Sequence, residues 1–347
     1  VYSRACIIGL YYRSYVMSFH SEIDKNRKSS FHWDVGSDSS IKFTHFLAIR
    51  PFLRLFTVVP LVIFLCFSVV VISCSLYVVT LPLETRTLYR RLIVAYVAYP
   101  WIESLALLLP QTKIYITEDS EMPDGIEPGI IIVNHQFERD WWTMFGLMRC
   151  VGQSGRMKVL LPEEMRHIPL LGWALQLLEF PFLGRSWAEQ DHLSKQLSTF
   201  NNNEDTFFFL FFPEGARLDQ TTHDLSLAFA HQENRPMLSH LLLPNVRGFQ
   251  MVLEGLKNMN PAIYDVTMVG GGYVGEATAA HPSRFTQFMA LLLDARPGGS
   301  WRHGGRVEQD EALFLRIRRY SAASARQSPH WLDRLWELKD AQLEHFS

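Results

Sequence analysis

The sequence predicts an α/β domain preceded by one or two apolar helices, and three observations predict it. From Lys113 onward, apolar runs too short for helices alternate with stretches of helical spacing, the order of an α/β fold. Two of the runs, Ile130-Ile131-Ile132-Val133 and Phe207-Phe208-Phe209-Leu210-Phe211-Phe212, stop abruptly at polar residues. Open α/β sheets keep their sites at such strand ends. Finally, residues 55–83 carry no charged side chain, more than the roughly 20 residues that cross a hydrocarbon core.

In chain order, residues 1–45 are polar, mixed in charge and serine-bearing, and read as a poorly ordered leader. They lack the succession of basic, apolar and small residues that marks a signal peptide. Glu22, Asp24, Asp34 and Asp38 argue against a mitochondrial presequence. Residues 46–110 form a membrane anchor, with a span at about 55–83 flanked by Arg54 on one side and by Glu84, Arg86, Arg90 and Arg91 on the other. Pro60 fits a kink or a late helix start. The apolar stretch 92–109 contains Pro100 and Glu103. It reads either as a second span or, preferably, as a broken interfacial helix with Tyr96, Tyr99 and Trp101 at headgroup level. The Asn-His stretch begins only about 20 residues later, a short tether that keeps it near the bilayer.

Residues 111–347 form the α/β domain. Strands are expected over 114–117, 130–133, 159–161, 180–183, 207–212, 240–243, 264–269 and 313–317. Helices are expected over 141–150, 170–178, 188–200 and 225–232. A last helix over 329–346 has Ser328 as N-cap and Pro329 at its first position. Residues 285–309, with Arg296-Pro297-Gly298-Gly299 and His303-Gly304-Gly305, read as an insertion.

A formal net charge of −2, with no basic block interleaved with aromatics, argues against a nucleic-acid partner. Cys6, Cys66, Cys74 and Cys150 have neither metal-ligand nor disulfide-framework spacing. The high apolar and aromatic content, 48% and 13%, fits contact with a bilayer.

The first stretch that carries chemistry is Asn134-His135-Gln136-Phe137-Glu138-Arg139-Asp140. On one continuous helix a five-residue offset sets side chains roughly 140° apart. His135 and Asp140 therefore meet only if His135 sits in the turn and Asp140 in the first helical turn. A base and its orienting carboxylate would be placed that way; an Asn-His turn with a capping Asp is the alternative. The second stretch, Pro213-Glu214-Gly215-Ala216-Arg217, delivers a carboxylate, a flexible glycine and a guanidinium suited to bidentate recognition of phosphate or carboxylate. Its alternative is a turn with a surface Arg–Glu pair. Between the two lie Lys158, then Ile168-Pro169-Leu170-Leu171-Gly172-Trp173, then Phe180-Pro181-Phe182-Leu183-Gly184-Arg185. A further stretch is His240-Leu241-Leu242-Leu243-Pro244-Asn245-Val246-Arg247-Gly248-Phe249.

Other signals are set aside. Gly270-Gly271-Gly272-Tyr273-Val274-Gly275 satisfies a dinucleotide fingerprint in form, but Pro282 leaves too little chain for the helix such a site needs. Arg316-Ile317-Arg318-Arg319 reads as a half-exposed strand with a basic face. Trp331, Leu335, Trp336, Leu338 and Phe346 read as core or membrane-facing packing. A hydrolase would need a Gly-x-Ser-x-Gly elbow or a nucleophilic Ser beside His135, and the sequence has neither.

In this order the four stretches resemble the glycerolipid acyltransferases, the 1-acylglycerol-3-phosphate (lysophosphatidate) acyltransferases and their relatives. The resemblance runs from about Leu55 to Phe346. Ala262-Ile263-Tyr264-Asp265-Val266-Thr267 and Trp331-Leu332-x-x-Leu335-Trp336-x-x-Lys339-Asp340 look most like the eukaryotic branch with lysocardiolipin and lysophosphoinositide acyltransferases. The resemblance implies a mixed, mostly parallel sheet flanked by helices. It also implies transfer of a fatty acyl group from acyl-CoA, a co-substrate, to the free hydroxyl of a lysophospholipid, with no cofactor or metal. His135 would be the general base and Asp140 its orienting acid. Glu214, Gly215 and Arg217 would hold the acceptor's phosphate, with Lys158, Arg185 and Asn134 as further contacts. Backbone N–H groups near the start of the Trp141 helix would hold the oxyanion. The expected setting is a membrane of the endoplasmic reticulum, or second a mitochondrial membrane. Two positions depart from the pattern: Ala216 stands where the family usually has Thr, and Asn245 where it usually has Arg.

Overall fold

The computed structural model describes residues 40–81, 86–109, 113–137, 139–184, 187–201, 205–270 and 312–344. The leader through residue 39, Arg185, glycine positions 271–275 and the insertion expected at 285–309 lie outside the described residues.

Among the described residues two helices precede the sheet: α1 (Ser40–Thr80), and a second that runs as α2 (Arg86–Ile93), a π turn (Val94–Ala98) and α3 (Tyr99–Leu108). Within them, Leu53–Thr80 and Arg86–Leu108 are long and apolar enough to cross a membrane. One stripe of α1 (Val58, Cys66, Val69, Ser73 and Thr80) is buried against the protein. Phe56, Ile63, Phe64, Phe67, Val78 and Val79 face outward, an apolar surface suited to lipid. Pro60 lies inside the helix and does not end it.

The second helix does not break at Pro100. The N–H of Tyr99 bonds to the Val94 carbonyl five residues back, and the wider turn absorbs the proline, which has no N–H of its own. Ile93, Val97, Ala98, Ile102 and Leu105 pack into the core of the sheet. Trp101, expected at headgroup level, is likewise only 8% exposed, whereas Tyr96 is exposed. The helix thus serves the core on one side and leaves its other side outside.

Among the described residues the sheet has six strands: β1 (Lys113–Ile116), β2 (Gly129–Val133), β3 (Met157–Val159), β6 (Phe208–Phe211), β7 (Ala262–Gly270) and β8 (Ala312–Ser321). Their order is β1-β8-β7-β2-β6-β3. β7, β2, β6 and β3 run parallel; β8 is antiparallel to β7 and β1 is parallel to β8. β4 (Leu161–Pro162) and β5 (Phe182–Leu183) pair separately. Both faces of the sheet are covered, which is why β2 and β6 are continuously apolar rather than alternating. Ile131 and Val133 of β2 enter the layer shared with the second helix and with α4 (Asp140–Cys150) and α5 (Leu171–Leu177). Ile130 and Ile132 enter the opposite layer. That layer is built by α6 (Trp187–Ser198), α8 (Val246–Gly255), α9 (Ala322–Arg326) and α10 (Trp331–Glu344), while α7 (Gln220–Gln232) buries little.

One expected strand does not form. Residues 240–243 are a loop whose N–H groups go to side chains: His240 to Asp340, Leu242 to Glu214 and Leu243 to the Ser226 hydroxyl. An apolar run is compatible with a strand or with a buried loop, and side-chain acceptors decided for the loop. Helix α8 was not anticipated. Its signal is Asn245, whose side chain accepts from the Gly248 N–H as an N-cap.

A buried ion pair ties α2 to the domain. Arg90 contacts the Glu179 carboxylate at 2.6 Å and donates to the Thr199 hydroxyl at 2.7 Å, with its guanidinium 3.9 Å from the centre of the Phe200 ring. Burial alone would raise Glu179, but Arg90 and then Arg86 more than offset it and hold the carboxyl below its ordinary value. Replacing Arg90 by Met strands this carboxylate. The expected loss is about 3–5 kcal/mol, read as the urea unfolding free energy in detergent micelles. Arg86→Met, on the solvent side of the same carboxylate, should cost under about 1 kcal/mol.

Candidate active site

β2 and β6 are adjacent and parallel, with Ile132 opposite Phe211, so the chain leaves both strands side by side at their carboxyl ends. After β2 come Asn134 and His135; after β6 come Phe212, Pro213 and Glu214. The two sequence blocks therefore meet because of register, not because of any attraction between their side chains.

Asn134 is fully buried and spends its whole amide on one residue of β7. Its Nδ2 donates to the Met268 carbonyl at 2.9 Å, and its Oδ1 accepts from the Met268 N–H at 2.8 Å. This extends the β2–β7 pairing by one side chain and fixes where the turn begins. A substrate contact by this side chain, expected from the sequence, does not fit that geometry.

His135 sits in the turn and Asp140 opens α4, the arrangement the five-residue spacing requires. His135 Nδ1 is 3.1 Å from Asp140 Oδ2, and the same oxygen accepts the Gln136 and Phe137 N–H groups, each at 2.7 Å. Asp140 is fully buried at the first turn of a helix, where the helix dipole favours a carboxylate. A carboxylate only accepts, so Nδ1 is the donor in this pair. The imidazole stays 17% exposed, and the Phe212 ring stacks on it with centroids 4.3 Å apart. Sequence reasoning missed Phe212, whose only signal is that it ends the apolar run before Pro213.

The Pro-Glu-Gly block grips the backbone of this histidine. Glu214 Oε1 accepts the His135 N–H at 3.2 Å, Oε2 accepts the Leu242 N–H at 3.3 Å, and the Leu218 N–H donates to the His135 carbonyl at 3.2 Å. Both Glu214 oxygens are thus engaged inside the protein, which suits a brace better than the substrate contact expected of it. Burial pushes its carboxyl up to about 8, against the two backbone donors and Lys339, which lower it, and with Asp140 raising it. Gly215 closes a turn through its N–H to the Phe212 carbonyl. Its φ of +67° lies in the left-handed region that glycine adopts without strain. Arg217 follows in the same loop, half-buried, its carbonyl accepting from the Thr222 hydroxyl.

The structure does not bring Lys158 to this group. Lys158 is fully buried, donates to the Leu178 carbonyl at 2.7 Å, and lies near the rings of Phe180 and Phe207. Phe207 precedes β6, whereas the histidine cluster follows it, so Lys158 serves the other end of the strands. Burial pushes its ammonium down to about 8. Asn245 caps α8 and donates its N–H to the Pro213 carbonyl, so the fourth block supports the loop carrying Glu214. The expected oxyanion donors are largely committed: Trp142 and Thr143 donate to the Arg139 carbonyl, and Gln136 and Phe137 to Asp140.

At neutral pH the folded protein keeps a proton on Glu214 that the unfolded chain, with its ordinary value of 4.5, has released. This group therefore stabilises the fold fully below 4.5, and the contribution is lost as pH rises through about 8. The urea midpoint of the wild type, relative to Glu214→Gln, should accordingly decline between about pH 5 and pH 8.5. A difference independent of pH would contradict the assignment.

Comparison with known proteins finds relatives of the segment that carries these blocks. Residues 113–268 match the family described as Acyltransferase. The 1-acyl-sn-glycerol-3-phosphate acyltransferase delta of Homo sapiens is 30% identical over 221 residues, covering 59% of this chain and 58% of that protein. The delta protein of Rattus norvegicus is 32% identical over 160 residues, covering 46% and 42%. The gamma protein of Homo sapiens is 27% identical over 273 residues, covering 76% and 66%. The chain thus spans less than two thirds of the length of these relatives. The matched segment holds β2, β6 and the turns that follow them, so the part of the chain that carries the site is similar to the acyltransferase family.

Proposed function

We propose that the protein transfers a fatty acyl group from acyl-CoA to the free hydroxyl of a lysophospholipid at a membrane surface, most simply 1-acylglycerol-3-phosphate to give phosphatidic acid. The observation that carries this reading is the partly exposed His135 with Nδ1 held on the buried Asp140 carboxylate, which leaves Nε2 as the base. A neutral hydroxyl attacks a thioester poorly, so its proton must leave as the bond forms. His135 Nε2 takes that proton while the hydroxyl oxygen attacks the thioester carbon. Asp140 stabilises the imidazolium. The tetrahedral centre collapses, the carbon–sulfur bond breaks, and the CoA sulfur leaves with the proton from His135. The acceptor itself is the nucleophile, so no residue of the protein is acylated.

Arg217 holds the acceptor's phosphate in this reading, presented by the turn at Gly215, and Arg185 stays a candidate for a second phosphate contact. The outward apolar face of α1 suits a membrane-embedded protein; the family resemblance makes that membrane the endoplasmic reticulum, with a mitochondrial membrane as the second choice. The names of the relatives support 1-acylglycerol-3-phosphate as acceptor. The resemblance to the lysocardiolipin and lysophosphoinositide branch makes lysocardiolipin and lysophosphatidylinositol the alternatives. One observation favours a catalytically weak, lipid-binding relative: Asn245, in place of the usual Arg, caps a helix instead of offering a cation.

The test is CoA release from oleoyl-CoA in detergent micelles, with and without each lysolipid. Release should require an acceptor. His135→Ala should lower it by about 10³–10⁴-fold and Asp140→Asn by at least about 10²-fold. Arg217→Lys should chiefly raise the KM for the acceptor, by roughly tenfold. Release without acceptor would instead indicate thioester hydrolysis. A folded protein that binds lysolipid and transfers nothing would favour the binding relative.

A further inference from the structure

The C-terminal helix α10 lies outside the segment that matches the acyltransferase family, yet it reaches the histidine turn through an unbroken set of contacts. Asp340 accepts two successive backbone N–H groups, Ser239 at 2.9 Å and His240 at 2.7 Å. Two residues further along the same loop, Leu242 donates to Glu214, and the other oxygen of Glu214 accepts the N–H of His135. Asp333, about two turns earlier on α10, pairs with Arg235 at 2.5 Å, and Arg235 donates to the Pro244 carbonyl at the far end of that loop. Asn245 then donates to the Pro213 carbonyl, beside Glu214.

Helix α10 is itself anchored. Leu332, Leu335, Trp336 and Leu343 are buried in the core layer. Lys339 is fully buried and contacts the Asp265 carboxylate at 2.7 Å and the Val266 carbonyl at 2.8 Å, both on β7. β7 is also the strand to which Asn134 is clipped. Among the described residues the loop 235–245 has no strand pairing, so side chains set its shape: α10 on one side, Glu214 on the other, and His223 and Ser226 of α7 at Leu238 and Leu243.

We infer that Asp340 is a positioning residue for acyl transfer: it holds the 239–242 loop so that Leu242 and Glu214 fix the backbone of His135. This rests on the assignment of His135 as the base. A carboxylate that accepts two adjacent N–H groups fixes the direction of that backbone, and Glu214 needs the Leu242 N–H there to keep its second oxygen satisfied. Without Asp340 the loop relaxes, Glu214 loses one of its two donors, and the imidazole is no longer held in place. Misplacement of a reacting group by about 1 Å costs on the order of 10²-fold in rate.

The test uses the full chain in detergent micelles, comparing wild type, Asp340→Ala and Asp340→Asn by amide hydrogen exchange and by oleoyl transfer to lysophosphatidate. Asp340→Ala should speed exchange at 239–243 and also at 134–137, by about tenfold or more, and leave 130–133 unchanged. It should lower kcat by roughly 10–10²-fold with little change in either KM. Asn keeps one acceptor oxygen, so Asp340→Asn should recover part of both effects. It also carries the test should the alanine variant not fold. Faster exchange confined to 239–243, with kcat and the 134–137 peptides as in wild type, would overturn the proposal. If wild type transfers no acyl group to lysophosphatidate, lysocardiolipin or lysophosphatidylinositol, the assignment of the base fails, and exchange at 134–137 still decides whether Asp340 positions that turn.

Discussion

Everything at the site depends on the parallel pairing of β2 with β6. That register sets the Asn-His turn and the Pro-Glu-Gly turn next to each other, and only then can one carboxyl group bridge them. Glu214 is that bridge, and its situation is unusual for an acid: buried, with both oxygens on backbone donors and the negative Asp140 nearby. Neutralisation by a proton is the physically cheaper state there, because an ion so enclosed would lose its hydration without a full counter-charge. Asp140 is also buried, and one of its oxygens accepts two short backbone bonds and faces the histidine at the start of a helix. Of the two acids in this cluster, one braces backbone and the other pairs with the imidazole.

The sheet is not separable from the helices in front of it. Ile93, Val97, Ile102 and Leu105 occupy the same core layer as Ile131 and Val133, and Arg90 is locked under Glu179. The site therefore keeps a fixed relation to the apolar outer face of α1. In the proposed reaction, with an acceptor in a bilayer and a donor that carries a water-soluble CoA, that packing fixes the height at which the two would meet.

Much of this was legible in the sequence, for physical reasons that can be named. Runs of β-branched or aromatic residues such as 130–133 and 207–212 could only be buried strands, since they are too short for helices and too apolar for an edge. The spacing of His135 and Asp140 forced a turn followed by a first helical turn. The roles of Lys158, Asn134 and Glu214 were not legible, because residue type shows what a side chain offers and not which end of a strand it faces. Lys158 offers a cation but points toward Phe207, at the wrong end. Residues 240–243 read as a strand because the acceptors that satisfy their N–H groups, Asp340 and Glu214, are distant in sequence. Leu335 and Trp336 read as packing and are buried in the core; the contribution of Asp340 on the same helix shows only once the loop is placed against it.

The central claim, that His135 activates the acceptor's own hydroxyl, is tested most directly by mixing excess protein with one equivalent of oleoyl-CoA and following both CoA and the intact mass of the protein. Direct transfer predicts that CoA appears only when lysophosphatidate is added, and that the protein never gains an oleoyl group. An oleoylated protein formed without acceptor, and discharged when the lysolipid is supplied, would contradict it.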